Sequence, residues 1–284
     1  MNWENRINAA ASEPVIRPLA VSALAKELLG DAVPIVRAIH RSGISLSIPD
    51  QADICYLGLP GSGLLPLHVV VNRSSFRQLM ERLSGCASTG QHVRLDFAGV
   101  RVFHLSLAPA NLQARQPRIA VDRVATWLRL RTEPCGLGEP AADALSVDGR
   151  IRHALAAVEA NPSNAQHALR ALIGRGTGST PAGDDMLVGA LAHAHACGAG
   201  NAPLVGAMRE LMPEFDRLTT AAGATYLRAA VRGHFGGDLL SFMNALARAP
   251  AERALHRAMR VANHGATSGI DTLLGFVAAD EAAR

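Results

Sequence analysis

The spacing of apolar residues changes once along this chain, near Asp148, and that change restricts the fold more than any other feature. Upstream, from Gly43 to about Ala110, the spacing is that of strands. Ile44, Leu46 and Ile48 alternate with serines, and residues 53–59 and 67–71 are short apolar runs separated by Pro60-Gly61-Ser62-Gly63. Residues 92–97 and 100–107 flank Ala98-Gly99, which predicts a hairpin, while 20–29 (closed by Gly30) and 74–83 predict helices. Downstream every apolar stripe is helical. Ile151, Leu155 and Val158 form one stripe, stopped by Asn161-Pro162-Ser163-Asn164, and Ala168, Leu169 and Leu172 form the next. Residues 187–197, 204–211, 217–231, 239–246, 252–261 and 273–279 continue the series. The expected class is α+β. A β-rich N-terminal domain over 1–114 forms a small sheet or partial barrel, a connecting segment over 115–148 carries one helix at 121–130, and an all-helical domain covers 149–284.

The helical half contains two related motifs. The first is Gly174-Arg175-Gly176-Thr177-Gly178-Ser179-Thr180-Pro181-Ala182-Gly183-Asp184-Asp185, leading into Met186-Leu187-Val188-Gly189. Alternating glycines permit positive φ and expose consecutive backbone N–H groups, the material of an anion-binding nest. Thr180-Pro181 has the form of an N-cap followed by the first helical residue, and a helix start favours a phosphate or carboxylate. The second motif is Gly265-Ala266-Thr267-Ser268-Gly269-Ile270-Asp271-Thr272-Leu273-Leu274-Gly275. The two share G-x-D-x-L-x-G, with Asp185, Leu187 and Gly189 matching Asp271, Leu273 and Gly275 at an offset of 86 residues. Such a repeat predicts a pseudo-symmetric pair of helix starts facing one pocket. Capping offers another reading of the acids. Ser268 and Asp271 stand at capping-box spacing, and first-turn carboxylates gain roughly 0.3–1 kcal/mol from the helix dipole.

On the anion-site reading, Arg175, Gly176, Thr177, Gly178, Thr180 and Gly183, with Thr267, Ser268 and Gly269, are the expected anion contacts. Thr220 joins them from a predicted helix carrying Thr219-Thr220, on which Thr220, Gly223 and Leu227 share a face. Asp184, Asp185 and Asp271 are the expected catalytic carboxylates, binding a divalent cation such as Mg²⁺ or orienting a substrate amide. His264 is a candidate acid or base, whereas His193 and Cys197, at i,i+4, are expected to pack in the core and not to bind metal.

Composition removes several alternatives. Lys26 is the only lysine, so no Gly-Lys-Ser/Thr phosphate loop exists and Schiff-base chemistry has no plausible residue. The net charge of +4 is spread without a basic run and aromatics are 4%, which argues against a nucleic-acid surface. Cys55, Cys86, Cys135 and Cys197 form no CxxC pair and read as reduced thiols. The polar stretch 1–13 lacks the order of an export signal, and no long uncharged apolar run occurs, so a cytoplasmic protein without a membrane span is expected.

At 174–189 and 265–275 the sequence resembles the AllH-type subunit of oxamate carbamoyltransferase, a bacterial family formerly catalogued as a domain of unknown function. The shared features are the G-x-G-x-G-x-T-P-x-G-D-D loop, the Thr219-Thr220 segment and the terminal T-S-G-x-D-x-L-x-G. In the family a histidine directly precedes the last of these; here Ala266 does, and His264 lies two places earlier. The resemblance implies allantoin-derived purine catabolism in which carbamoyl and phosphate groups are exchanged with oxamate. It also implies partner subunits, one of them similar to acyl-CoA synthetases. A non-catalytic anion-binding scaffold and a stand-alone Mg²⁺-dependent hydrolase are the competing expectations.

Overall fold

A computed structural model describes residues 15–40, 42–61, 63–84, 89–107, 115–160, 162–198 and 202–284. The stretch 1–13 and Cys86 lie outside them. The chain divides into two compact units, with the boundary between His104 and Leu105. It is α+β, strands first and helices after.

The first unit is built on β1 (Val15–Ile16), β2 (Ala20–Ser22), β3 (Ile35–His40), β4 (Gly43–Ser47), β5 (Ile54–Gly58), β6 (His68–Val70), β7 (Arg94–Leu95) and β8 (Arg101–Phe103). Six of these form an open sheet in the order β3-β4-β5-β6-β2-β8, so the sheet, not the partial barrel, is what the strands make. Its apolar face is formed by Ile44, Leu46, Cys55, Leu57, Val69 and Val21, all buried. Registers Ser45↔Tyr56 and Tyr56↔His68 put these polar side chains on the other face. Tyr56 lies across Gly43 and Gly58, where an added Cβ would come within 2.3 and 2.6 Å of its ring. The ring covers the glycines' bare backbone, a reason for glycine in two neighbouring strands.

Two expectations in this unit are corrected. The hairpin at Ala98-Gly99 is absent: β7 pairs in parallel with β1, and β8 in parallel with β2, in different sheets. Asp96 accepts from Ala98 N at 2.9 Å and from Arg17 Nε at 2.9 Å, forming a local turn that sends the chain elsewhere. The helix expected at 20–29 begins only at Ala23 (α1, Ala23–Leu29). Ser22 ends β2 and caps the helix by accepting from Ala25 N at 3.1 Å. A second helix, α2 (Arg73–Ser84), follows β6.

The second unit is helical: α3 (Arg115–Arg129), α4 (Ala141–Ala144), α5 (Arg150–Ala160), α6 (Pro162–Leu172), α7 (Ala182–Ala196), α8 (Pro203–Leu211), α9 (Phe215–Leu218), α10 (Ala221–Val231), α11 (Gly237–Arg248), α12 (Ala251–Ala262) and α13 (Ser268–Ala282). Helices α7 and α13 are buried on nearly every side and pack on each other. The others surround them.

Both glycines of each repeat have a steric cause. A Cβ at Gly189 would lie 1.8 Å from the Thr272 carbonyl, and one at Gly275 would lie 1.7 Å from the Met186 carbonyl. Met186 and Thr272 occupy equivalent places in the two motifs, so the contact is reciprocal about a local two-fold. Gly183 and Gly269 do the same job at the helix starts. Their Cβ positions fall 2.0 Å from Leu172 O at the end of α6 and 1.8 Å from Val261 O on α12. Leu187 and Leu273 are fully buried. Only the aspartates are left without a packing explanation.

Gly189→Ala and Gly275→Ala are each expected to cost about 2–3 kcal/mol or more, because the obstacle is backbone and cannot rotate away. Gly206→Ala, on α8 with open space around it, is expected to add about 0.5–1 kcal/mol. Urea unfolding midpoints of the three variants measure this. Equal midpoints for Gly189→Ala and the parent would refute the close-packed pair.

Candidate functional site

The helix starts of α7 and α13 meet beneath the glycine loop. Gly174, Gly176 and Gly178 all have positive φ (74°, 109° and 98°). The ends of the loop are tied down internally. Gly174 N donates to Asp184 Oδ1 at 2.7 Å, Arg175 N to Leu172 O at 3.0 Å, and Gly183 N to Arg175 O at 2.8 Å. The anion that the first glycine amide binds is therefore the chain's own Asp184. In between, the amides of Gly176, Thr177 and Gly178 are exposed and have no hydrogen-bond partner among the described residues. Gly183 and Gly269 are not open anion donors, since Gly269 N donates to His264 O at 3.0 Å.

Helix α7 starts one residue later than expected. Pro181 is its N-cap, and the Pro181 carbonyl accepts from Asp184 N and Asp185 N. That frees the Thr180 hydroxyl from capping, and it meets Ser268 Oγ at 3.0 Å, linking the two helix starts. Likewise α13 is capped at Thr267 with Ser268 inside the helix, so the capping-box reading of Ser268 and Asp271 does not hold. The helix expected over 217–231 is broken at Thr219, whose backbone is extended. Thr219 Oγ1 donates to Asp184 Oδ2. Thr220 caps α10, accepting from Gly223 N at 3.0 Å and donating to Ser179 O at 2.6 Å. These tertiary bonds outweigh the weak local preference for one continuous helix.

Asp184, Asp185 and Asp271 are 1%, 8% and 0% exposed. Burial pushes Asp184 up to about 6, against the lowering effect of Thr219 and Gly174. Burial drives Asp185 well above the usual carboxylate range. The Ser268 and Thr180 hydroxyls oppose this, while the nearby charge of Asp271 adds to it. Asp271 is raised by burial and lowered by the Gly136 amide, 3.0 Å from its Oδ1, and by the Thr267 hydroxyl. One oxygen of each of two acids has no partner: Asp185 Oδ2 and Asp271 Oδ2. A buried acceptor without a donor costs about 1–3 kcal/mol, so both are poised to accept a hydrogen bond.

Asp184 gives both oxygens to Gly174 and Thr219, and among the described residues no three His, Cys, Asp or Glu side chains gather as a metal site. Arg175 and Thr177 are exposed on the loop, and His264 is exposed in the turn before α13 with no hydrogen bond to the aspartates. At the far end of α7, the buried His193 meets Asp280 at 3.3 Å and the half-buried Cys197 at 3.7 Å. Gly136 was missed from the sequence. It lies in Pro134-Cys135-Gly136-Leu137-Gly138, within the stretch expected to be a connector. A Cβ there would fall 2.6 Å from Asp271 Oδ2 and 2.8 Å from Thr267 Oγ1. The glycine-x-glycine spacing was its only signal.

The family described as oxamate carbamoyltransferase subunit AllH matches residues 172–279, which begin just before the glycine loop and end near the close of α13. Over that span the chain is similar to this family. No solved structure matches the chain. The matched region contains both repeats, Thr219 and Thr220, whereas Gly136 and the whole of the first unit lie outside it. Among the described residues no helix is long and apolar enough to cross a membrane.

The raised pKa of Asp184 makes a signed prediction. The folded state keeps this proton more tightly than the unfolded chain does, so its ionisation destabilises the fold. The loss develops as pH rises from about 4 towards about 6 and amounts to about 2–3 kcal/mol. Asp184→Asn, which keeps an acceptor for Gly174 N, is expected to match the parent at pH 4 and exceed its stability at pH 8. Urea midpoints across this range test it, and parallel curves for the two proteins would refute it.

Proposed function

We propose that this chain is the AllH-type subunit of a carbamoyltransferase that moves a carbamoyl group between phosphate and the nitrogen of oxamate, in the breakdown of purine-derived nitrogen. The observation that carries the reading is the meeting of Asp185 and Asp271, 86 residues apart in sequence, each with a buried and unpartnered oxygen, beside a loop of exposed amides. Carbamoyl phosphate and oxamate each join an anionic end to an amide. The free amides at Gly176, Thr177 and Gly178 suit the anionic end, and Arg175, on the same loop, would neutralise it. The unpartnered carboxyl oxygens suit the –NH2 end.

An ionised carboxylate at this place would act as the general base that takes the proton the oxamate nitrogen loses as it bonds to the carbamoyl carbon and phosphate leaves. Burial raises both Asp185 and Asp271, the first more strongly. Further subunits, including one similar to acyl-CoA synthetases, complete the enzyme in this proposal.

Turnover of the reconstituted complex tests the reading. Asp185→Asn and Asp271→Asn are each expected to lower kcat by a factor of about 100 or more. Full turnover in both variants would remove the catalytic assignment and leave the anion-binding scaffold. Turnover by the isolated chain that EDTA abolishes would instead favour the Mg²⁺-dependent hydrolase.

A further inference from the structure

The two helix starts are equivalent in more than sequence. In each, the aspartate stands at the fourth residue of the helix, and the preceding glycine seats the start against an earlier helix. One carboxyl oxygen in each points to no donor while being more than nine-tenths buried. A local two-fold relates them, through the reciprocal contacts of Gly189 and Gly275. Symmetry of this kind supplies one unpartnered acceptor at each helix start.

What precedes each helix is not equivalent. Before α7 the chain offers a run of exposed amides with glycines at positive φ, and the Arg175 guanidinium stands on the same loop. Three successive N–H groups without a partner and a cation on the same loop suit the oxygens of a phosphoryl group. Before α13 there is only a tight turn with the Thr267 and Ser268 hydroxyls, backed by the 134–138 loop. Such a place accommodates a small planar carboxylate better than a phosphate.

Resting on the function proposed above, we infer that the paired starts are two amide-binding half-sites that hold both substrates of the transfer at once. Asp185 accepts the –NH2 of the carbamoyl phosphate whose phosphate lies on the 176–178 loop, and Asp271 accepts the –NH2 of oxamate. The arrangement sets the carbamoyl carbon and the oxamate nitrogen side by side across the local two-fold. Loss of either acceptor then weakens one ligand and spares the other.

Calorimetry on the full chain tests this with two stable probes, oxamate and phosphonoacetamide, an amide carrying a phosphonate. Asp185→Asn is expected to weaken phosphonoacetamide about tenfold or more and leave oxamate within about twofold. Asp271→Asn should do the reverse. Asparagine keeps the shape and an acceptor oxygen while removing the charge, and a melting temperature no lower than the parent's confirms the fold. Oxalate, which lacks the –NH2, should bind the parent at least about tenfold more weakly than oxamate. Equal loss of both probes in both variants would overturn the half-site assignment while leaving the functional reading intact. So would binding of Mg²⁺ alone that both substitutions abolish. A parent chain that binds neither probe would overturn both proposals together.

Discussion

Everything in the second unit depends on two helices touching through their backbones. Gly189 on α7 and Gly275 on α13 leave no space for a side chain, and the carbonyls of Thr272 and Met186 occupy the place where a Cβ would be. Contact this close fixes the two helices in both rotation and translation, because each glycine must face the other's carbonyl. The starts of the helices, about two turns earlier, are thereby placed together. Asp185 and Asp271 follow from the same constraint, each being four residues before its glycine. A looser interface built from Leu or Val would allow several registers. Only one register meets both glycine requirements.

That placement works against stability. Three carboxyl groups are brought into an apolar interior, and burial raises the pKa of each. The helix dipoles favour negative charge at these ends by roughly 0.3–1 kcal/mol each, less than the desolvation they oppose. Asp184 is made tolerable by Gly174 N and Thr219 Oγ1, and Asp271 partly so by Gly136 N. Asp185 has hydroxyls on one side only. A purely structural solution would place apolar or amide side chains here. Acids that keep an unpartnered buried oxygen are what the proposed ligand site requires, since the ligand's N–H would supply the partner.

Much of this was legible in the sequence, and the remainder was hidden for identifiable reasons. Helices α5 to α8 and α11 to α13 follow from apolar spacing alone, since each buries one stripe or is apolar all round. The G-x-D-x-L-x-G repeat marked both central helices, although its glycines answer to helix packing and not to the ligand. Local spacing misled where long-range pairing decides. Residues 94–95 and 101–103 have hairpin spacing, yet each strand has its partner among residues 15–22, which no local pattern reveals. Thr219 and Thr220 lie in a helical pattern broken by bonds to Asp184 and Ser179. Gly136 was hidden for the same reason, because its partner Asp271 is 135 residues away.

The unsatisfied oxygens also connect stability to function. A ligand that donates an N–H to Asp185 or Asp271 supplies the hydrogen bond the folded chain lacks, so part of its binding energy relieves a cost already present in the empty protein. The unfolded chain, whose carboxylates are hydrated, gains nothing from the same donor. Binding should therefore stabilise the second unit by more than its direct contacts suggest, and selectively for ligands that carry an amide. A ligand presenting only oxygen lone pairs meets the same two acids as a repulsive wall. Under the proposed function, discrimination between oxamate and oxalate would come from the acids that destabilise the fold, and stabilising this region with apolar or amide side chains would remove that discrimination along with the strain.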